Sequence, residues 1–141
     1  MIKPRHKARE IALQTLYEYD TTTHTTIAVL ERAFTENILD EETIQFATEL
    51  VNGVNSHRTE IDTVIHSHAA SWPLDQIATI DRNILRLAIY ELLHNNKVPV
   101  QVAINEAVEL AKDFGADSSP RFINGVLRTI SRLTTRENLE N

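Results

Sequence analysis

Pro99-Val-Gln-Val-Ala-Ile-Asn-Glu-Ala-Val-Glu-Leu-Ala-Lys-Asp-Phe-Gly-Ala-Asp-Ser-Ser-Pro-Arg-Phe-Ile-Asn-Gly-Val-Leu127 is the stretch that decides the fold. Its apolar residues Val100, Ala103, Ile104, Ala107, Val108, Ala111 and Phe114 recur at helical period. Gln101, Asn105, Glu106, Glu109, Lys112 and Asp113 fall mostly away from that stripe. Pro99 suits a first helical turn, where its missing N–H has no intrahelical partner to lose. Gly115 stands where a helix leaves through a left-handed residue, and Ser119-Pro120 reads as an N-cap followed by a first-turn proline. A second helix then buries Phe122, Ile123, Val126, Leu127 and Ile130. Glycine costs about 1 kcal/mol in a helix interior, so Gly125 is expected to let another helix or a partner come close.

The same periodicity extends in both directions, and no alternating β-branched run interrupts it, so the chain reads as all-α. Pro4 opens a helix to about Tyr19, with Ala8, Ile11, Ala12, Leu16 and Tyr19 inward. After the polar linker Thr21 to Thr26, a second helix carries Ile27, Leu30, Ala33, Phe34 and Ile38. Asp40 caps a third, which buries Ile44, Ala47, Leu50, Val51 and Val54. A fourth spans about Arg58 to His68, with Ile61, Val64 and Ile65 inside. Trp72-Pro73 then breaks the pattern, because the residue before proline is pushed out of helical space. The break predicts two halves, about 1–70 and 75–134, with Trp72 plugging their junction. A fifth helix, Thr79 to about Asn95, is apolar around most of its circumference and should be central to the second half, with Arg82 and Arg86 on its remaining polar face. The tail after Leu133 is polar and is expected to fray.

The chain of 141 residues carries no cysteine, which removes disulfides and thiolate chemistry from consideration. No 18-residue apolar run and no apolar segment after the basic N-terminus are present, so neither membrane span nor signal peptide is expected, and a cytoplasmic location is the default. The net charge of −6 conceals an asymmetry. Residues 1–9 hold Lys3, Arg5, Lys7 and Arg9 and no acid, for +4; residues 10–74 hold two basic residues against eleven acids, for −9; residues 75–141 hold eight against nine, for −1. A cationic arm on an acidic body implies an anionic partner for the arm and a basic protein for the body, although a solvated surface alone also accounts for such charge. Arg5 and Arg9 stand four apart on one helical face. Cations at a helix N-terminus oppose the macrodipole, and that local cost favours a functional arm over a solvated basic tail.

Catalytic chemistry lacks a site in the sequence. His66 and His68, two apart, point to different sides of a helix and cannot chelate from one face. No His-Glu-x-x-His, phosphate loop, nucleophile elbow or calcium loop occurs. Glu106, Glu109 and Asp113 read as the solvated or partner-facing edge of a helix, not a carboxylate pair for acid/base work. No catalytic residue, metal ligand or cofactor is therefore expected. Arg121, Arg128 and Arg132 lie along one side of the last helix, as an ordinary solvated face or a second basic contact strip. Phe122 is either core or a partly exposed stacking ring, and Tyr17 and Tyr19 carry the same ambiguity.

Val-Ala-Ile-Asn-Glu-Ala-Val-Glu-Leu-Ala-Lys-Asp-Phe-Gly at 102–115, followed by Arg-Phe-Ile-Asn-Gly-Val-Leu at 121–127, resembles the signature of the bacterial NusB transcription antitermination family. Ile84 to Leu92, Ala8-Arg9-Glu10, Ala12-Leu13-Gln14 and Leu16-Tyr17 match further blocks, so the resemblance runs from Arg5 to Leu133. It implies an all-α fold of two packed three-helix bundles, about seven helices in all. It further implies that the arm binds the single-stranded boxA element of nascent ribosomal RNA, together with NusE, a small-subunit ribosomal protein, and that the pair helps RNA polymerase read through terminators. By position, Lys3, Arg5, His6, Lys7 and Arg9 match the arm, with His6 standing where a further arginine is frequent. Asp117, Ser118 and Phe122 match positions implicated in RNA contact, and Tyr17, Asp81 and Arg82 match positions near the NusE surface. Arg128 departs from the family pattern of an acidic or neutral residue. Four phosphate-neutralising arm cations imply a slope of about −3 in log affinity against log salt. Similar domains precede ribosomal RNA cytosine methyltransferases, but this chain has no room for a cofactor domain. The other alternative is a helical adaptor that binds protein and not RNA. Monomer and homodimer both stay open.

Overall fold

A computed structural model of the chain describes residues 4–69, 76–95 and 98–140, with side chains to 133. Lys3, Trp72 and Pro73 lie outside the described residues. Seven helices follow in order: α1 (Pro4–Thr21), α2 (Thr26–Glu36), α3 (Glu41–Ser56), α4 (Arg58–His68), α5 (Thr79–His94), α6 (Val100–Phe114) and α7 (Ser119–Glu140). They cluster into two compact units, Met1–Ser56 and His57–Asn141.

In the first unit α1 packs on both α2 and α3. Ile11, Ala12, Leu13 and Leu16 of α1 and Ala47, Leu50, Val51 and Val54 of α3 are buried. The entries to α2 and α3 are capped by side chains. The Thr25 hydroxyl accepts the Ala28 N–H at 3.1 Å, and Asp40 Oδ1 accepts the Thr43 N–H at 2.8 Å. Three residues expected inside are not: Tyr19 is exposed, as are Ile27 and Ile38. Helix α2 ends at Glu36 with Asn37 extended and its Nδ2 donating to the Ala33 carbonyl, so helical spacing does not reach Ile38.

In the second unit α5 packs against α4, α6 and α7, and from Asn83 to Ile89 every residue is buried. Arg86, expected on a polar face, is among them. Its Nε and Nη2 donate to Asp62 Oδ1 and Oδ2 at 2.8 and 3.0 Å, and its Nη1 donates to Asn83 at 3.2 Å. Helix α4, expected with the first half, packs on α5 and α7 instead, giving this unit four helices. Ile61 and Ile65 of α4 are fully buried in it, and the Asp62 carboxylate takes its bidentate partner from α5. Helix α7 runs through Glu140, past the point at which the sequence predicts fraying.

Gly115 is not left-handed: φ is −95° and ψ −175°. A Cβ there would meet the Ser119 Cβ and Oγ at 2.6 Å and the Ala111 carbonyl oxygen at 2.9 Å, so close approach is what demands glycine. Among the described residues nothing lies within 4 Å of where a Gly125 Cβ would stand, so none of them uses the space it leaves.

Candidate nucleic-acid interface

The basic residues occupy the first two turns of α1. Arg5 is exposed and His6 and Lys7 are half-buried. Arg9 is 3% exposed, which corrects the expectation of an outward phosphate contact. Its guanidinium lies 5.2 Å from the centroid of the buried Phe46 ring on α3, and that of Arg5 lies at the same distance. Arginine tolerates this because its aliphatic stem packs well and its planar, weakly hydrated head stacks on aromatic rings. Glu10 collects the other two basic side chains: His6 Nε2 lies 3.0 Å from Oε1 and Lys7 Nζ 4.0 Å from Oε2. Such partly solvated pairs are weak, so an incoming phosphate can compete for the cations. The arm is thus a cationic surface propped on an aromatic ring, with Arg5 and Lys7 as its accessible charges.

The turn between α6 and α7 is built by hydrogen bonds around Ser119. The Gly115 N–H donates to the Ala111 carbonyl at 2.9 Å, the Ser119 N–H donates to the Ala116 carbonyl at 3.0 Å, and the Ala116 N–H donates to Ser119 Oγ at 2.9 Å. Ser119 Oγ in turn donates to Asp81 Oδ2 at 3.0 Å. Ser119 therefore stands inside α7, and the Phe122 N–H reaches back to the Ser118 carbonyl at 3.2 Å.

Asp81 is 8% exposed, which corrects its expected place on a partner surface: it anchors the turn from α5. Its Oδ1 has no hydrogen-bond partner among the described residues. It lines a pocket of about 320 Å³ with Gln76, Ile77, Ser118, Arg121 and Phe122. Phe122 is half-buried at that wall, and Asp117 and Ser118 are exposed at the tip of the turn. Arg82 is half-buried and donates from Nη2 to Thr79 Oγ1 at 3.2 Å. Tyr17 is 41% exposed. The arm belongs to the first unit and the turn to the second. Ser118, Phe122 and Asp81, expected in separate surfaces, share one pocket.

Arg121, Arg128 and Arg132 are exposed, and two of them are held to their own helix. Arg128 Nε donates to Asn124 at 3.0 Å and Arg132 Nε to the Arg128 carbonyl at 3.3 Å. His68 Nδ1 lies 2.9 Å from the Val64 carbonyl oxygen within its own helix. Phe46 and Glu10, which organise the arm, escaped the sequence reading. Phe46 lies on the apolar stripe of α3, one turn before Leu50, so periodicity alone marks it as core, and only the packing of α1 on α3 brings the two guanidinium groups over its ring.

The NusB family model matches residues 6–132. The chain belongs to the NusB family. A NusB of Dehalococcoides mccartyi strain CBDB1 is 54% identical over 132 residues, covering 94% of this chain and 92% of its own. A Bacillus subtilis NusB is 48% identical over 127 residues, covering 89% and 93%. Both are transcription antitermination proteins, and this chain is an antitermination factor of that non-enzymatic family. Among solved structures, T. maritima NusB superposes with a TM-score of 0.85 at 32% identity over 94% of this chain and 93% of that one. A NusB crystallised with NusE and double-stranded RNA superposes with a TM-score of 0.84 at 29% identity, over 94% and 99%. The all-α, seven-helix NusB fold of these relatives is the fold described above. No helix among the described residues is long and apolar enough to cross a membrane.

Proposed function

We propose that this NusB-family chain binds single-stranded boxA RNA through the exposed cations of α1. It acts with NusE in the cytoplasm, so that RNA polymerase reads through terminators in ribosomal RNA operons. The observation that carries the reading is the pair of guanidinium groups over Phe46, each 5.2 Å from the ring centroid. The ring holds the basic turns against the first unit, so Arg5, Lys7 and His6 meet the backbone of a nucleic acid with little left to order. Lys3 would extend the same arm. Single-stranded RNA needs phosphate neutralisation and platforms for unstacked bases, and no catalytic group. At the α6–α7 turn, Phe122 offers a half-buried ring, Arg121 a cation at the pocket's edge, and Asp117 and Ser118 polar groups at the tip. That combination suits a base and its phosphate.

NusE, as a protein of the ribosome, is expected to be basic and complements the −9 of residues 10–74. Tyr17, on the first unit, and Arg82, on the second, are each a NusE contact in this reading.

Fluorescence anisotropy with a boxA oligonucleotide, across a salt series and with and without NusE, tests the proposal. Each phosphate neutralised releases condensed counterion and contributes about 0.7 to the salt slope of single-strand binding. Replacing Arg5 and Lys7 by alanine should therefore weaken binding and flatten the slope by about 1.4, while circular dichroism stays unchanged. An unaltered slope overturns the arm assignment. NusE binding with no RNA affinity in any condition would favour the adaptor reading instead.

A further inference from the structure

We propose that His57, Glu60 and His94 form a binding site for a divalent transition-metal ion of the Zn2+ class, joining the start of α4 to the end of α5. His57 is the N-cap of α4, yet its side chain makes no capping hydrogen bond to the helix backbone, so its ring nitrogens are not taken up by the helix terminus. Glu60 lies one turn on, and His94 is the last residue of α5. All three converge. His94 Nε2 lies 3.2 Å and His57 Nδ1 3.5 Å from the same oxygen, Glu60 Oε2, and the three ligand atoms fall within 4.8 Å of one another.

These separations decide the chemistry. Bonds of about 2.0–2.1 Å to a tetrahedral Zn2+ set its ligand atoms about 3.3 Å apart, close to the two separations observed. Two imidazoles with one carboxylate suit zinc, nickel or copper, whereas magnesium and calcium ask for all-oxygen shells. The two imidazoles lie against each other, and one ring turns out of that stack to bring both in-plane nitrogen lone pairs to a single ion. Their rings stack with centroids 3.9 Å apart at 15°, and the Tyr90 ring lies 6.0 Å from one and 5.8 Å from the other. The site is also reachable, with side-chain exposures of 39%, 52% and 26% for His57, Glu60 and His94. The remaining coordination position is left to water. An ion here clips α4 to α5 at their ends, as the Asp62–Arg86 pair does farther along. Because the site is complete only when the two helices are packed, binding stabilises the folded chain. The proposal does not depend on the RNA reading.

Isothermal titration of the full, metal-stripped chain with Zn2+ alone tests it. The expected result is one ion per chain and a rise in melting temperature. His94→Gln and Glu60→Gln should each weaken binding by about 100-fold or more, the top of the range seen when even an outer-sphere partner is lost. His66→Gln with His68→Gln should leave it unchanged. Cobalt as a spectroscopic substitute should show the intense visible bands of a tetrahedral site, lost in both single variants. Glu60 is the most exposed of the three, so its variant keeps the test decisive if His94→Gln disturbs folding. No stoichiometric binding, or binding that survives both single variants, overturns the proposal.

Discussion

The Arg9 guanidinium lies 5.2 Å from the centroid of Phe46, and that contact joins the basic end of α1 to the core of the first unit. Cations in the first turns of a helix work against its dipole. An aromatic face offsets part of that cost, because a cation over a ring gains about 0.5–2 kcal/mol depending on its desolvation. Arg9, which is buried, stands at the favourable end of that range, while Arg5 keeps its outer side free for solvent or a ligand.

Phe46→Leu keeps most of the volume and removes the π face. RNA affinity measured by anisotropy should fall by roughly three- to tenfold, the equivalent of about 0.7–1.4 kcal/mol. Urea denaturation should register only a modest loss, since volume-conserving apolar exchanges cost less than about 1.5 kcal/mol. Unchanged affinity in a folded variant would separate the ring from the arm's function.

Asp62→Ala strands Arg86 in the core of the second unit. Removing one partner of a buried pair costs about 3–5 kcal/mol. The lower end applies here, because Asp62 is 23% exposed while Arg86 is 5%. Equilibrium urea unfolding measures it, and a loss below about 1 kcal/mol would rank this contact with ordinary surface pairs.

The two resolved glycines of the α6–α7 region respond in opposite directions to alanine. Gly115→Ala drives a Cβ to within 2.9 Å of the Ala111 carbonyl and closer to Ser119, and overpacking of that kind costs about 1–3 kcal/mol. Gly125→Ala meets open space and should stabilise α7 by up to about 1 kcal/mol through helix propensity. Thermal melts of the pair check both signs. If Gly125→Ala also weakens binding of NusE or RNA, a partner backbone approaches there.

Glu18 ties the end of α1 to α2. The Arg32 guanidinium, hydrogen-bonded to it, and then His24, whose Nδ1 lies 2.7 Å from Oε2, hold its carboxyl below the ordinary value of 4.5. A depressed carboxylate contributes stability above its unfolded value and loses it as pH falls through the folded one. The stability difference between wild type and Glu18→Gln should therefore be present at neutral pH and shrink below pH 4.5. One molar salt should also shrink it, because the group is at the surface.

The sequence by itself determined the helices, because each is marked by its own neighbours: apolar spacing in α5 and α6, the Asp40 cap before α3, the polar stretch before Thr25. It also determined the family, through blocks whose order along the chain needs no third dimension, and the charge asymmetry, a matter of counting.

Only the tertiary structure decided what faces what. Periodicity assigns a residue to a side of its helix and is silent about the neighbouring helix. Arg86 therefore looked solvated until Asp62 supplied a buried counter-charge, Arg9 looked outward until Phe46 covered it, and Asp81 looked like a contact until Ser119 claimed one of its oxygens. His57 and His94, 37 positions apart in the chain, share a carboxylate only because α4 and α5 pack together.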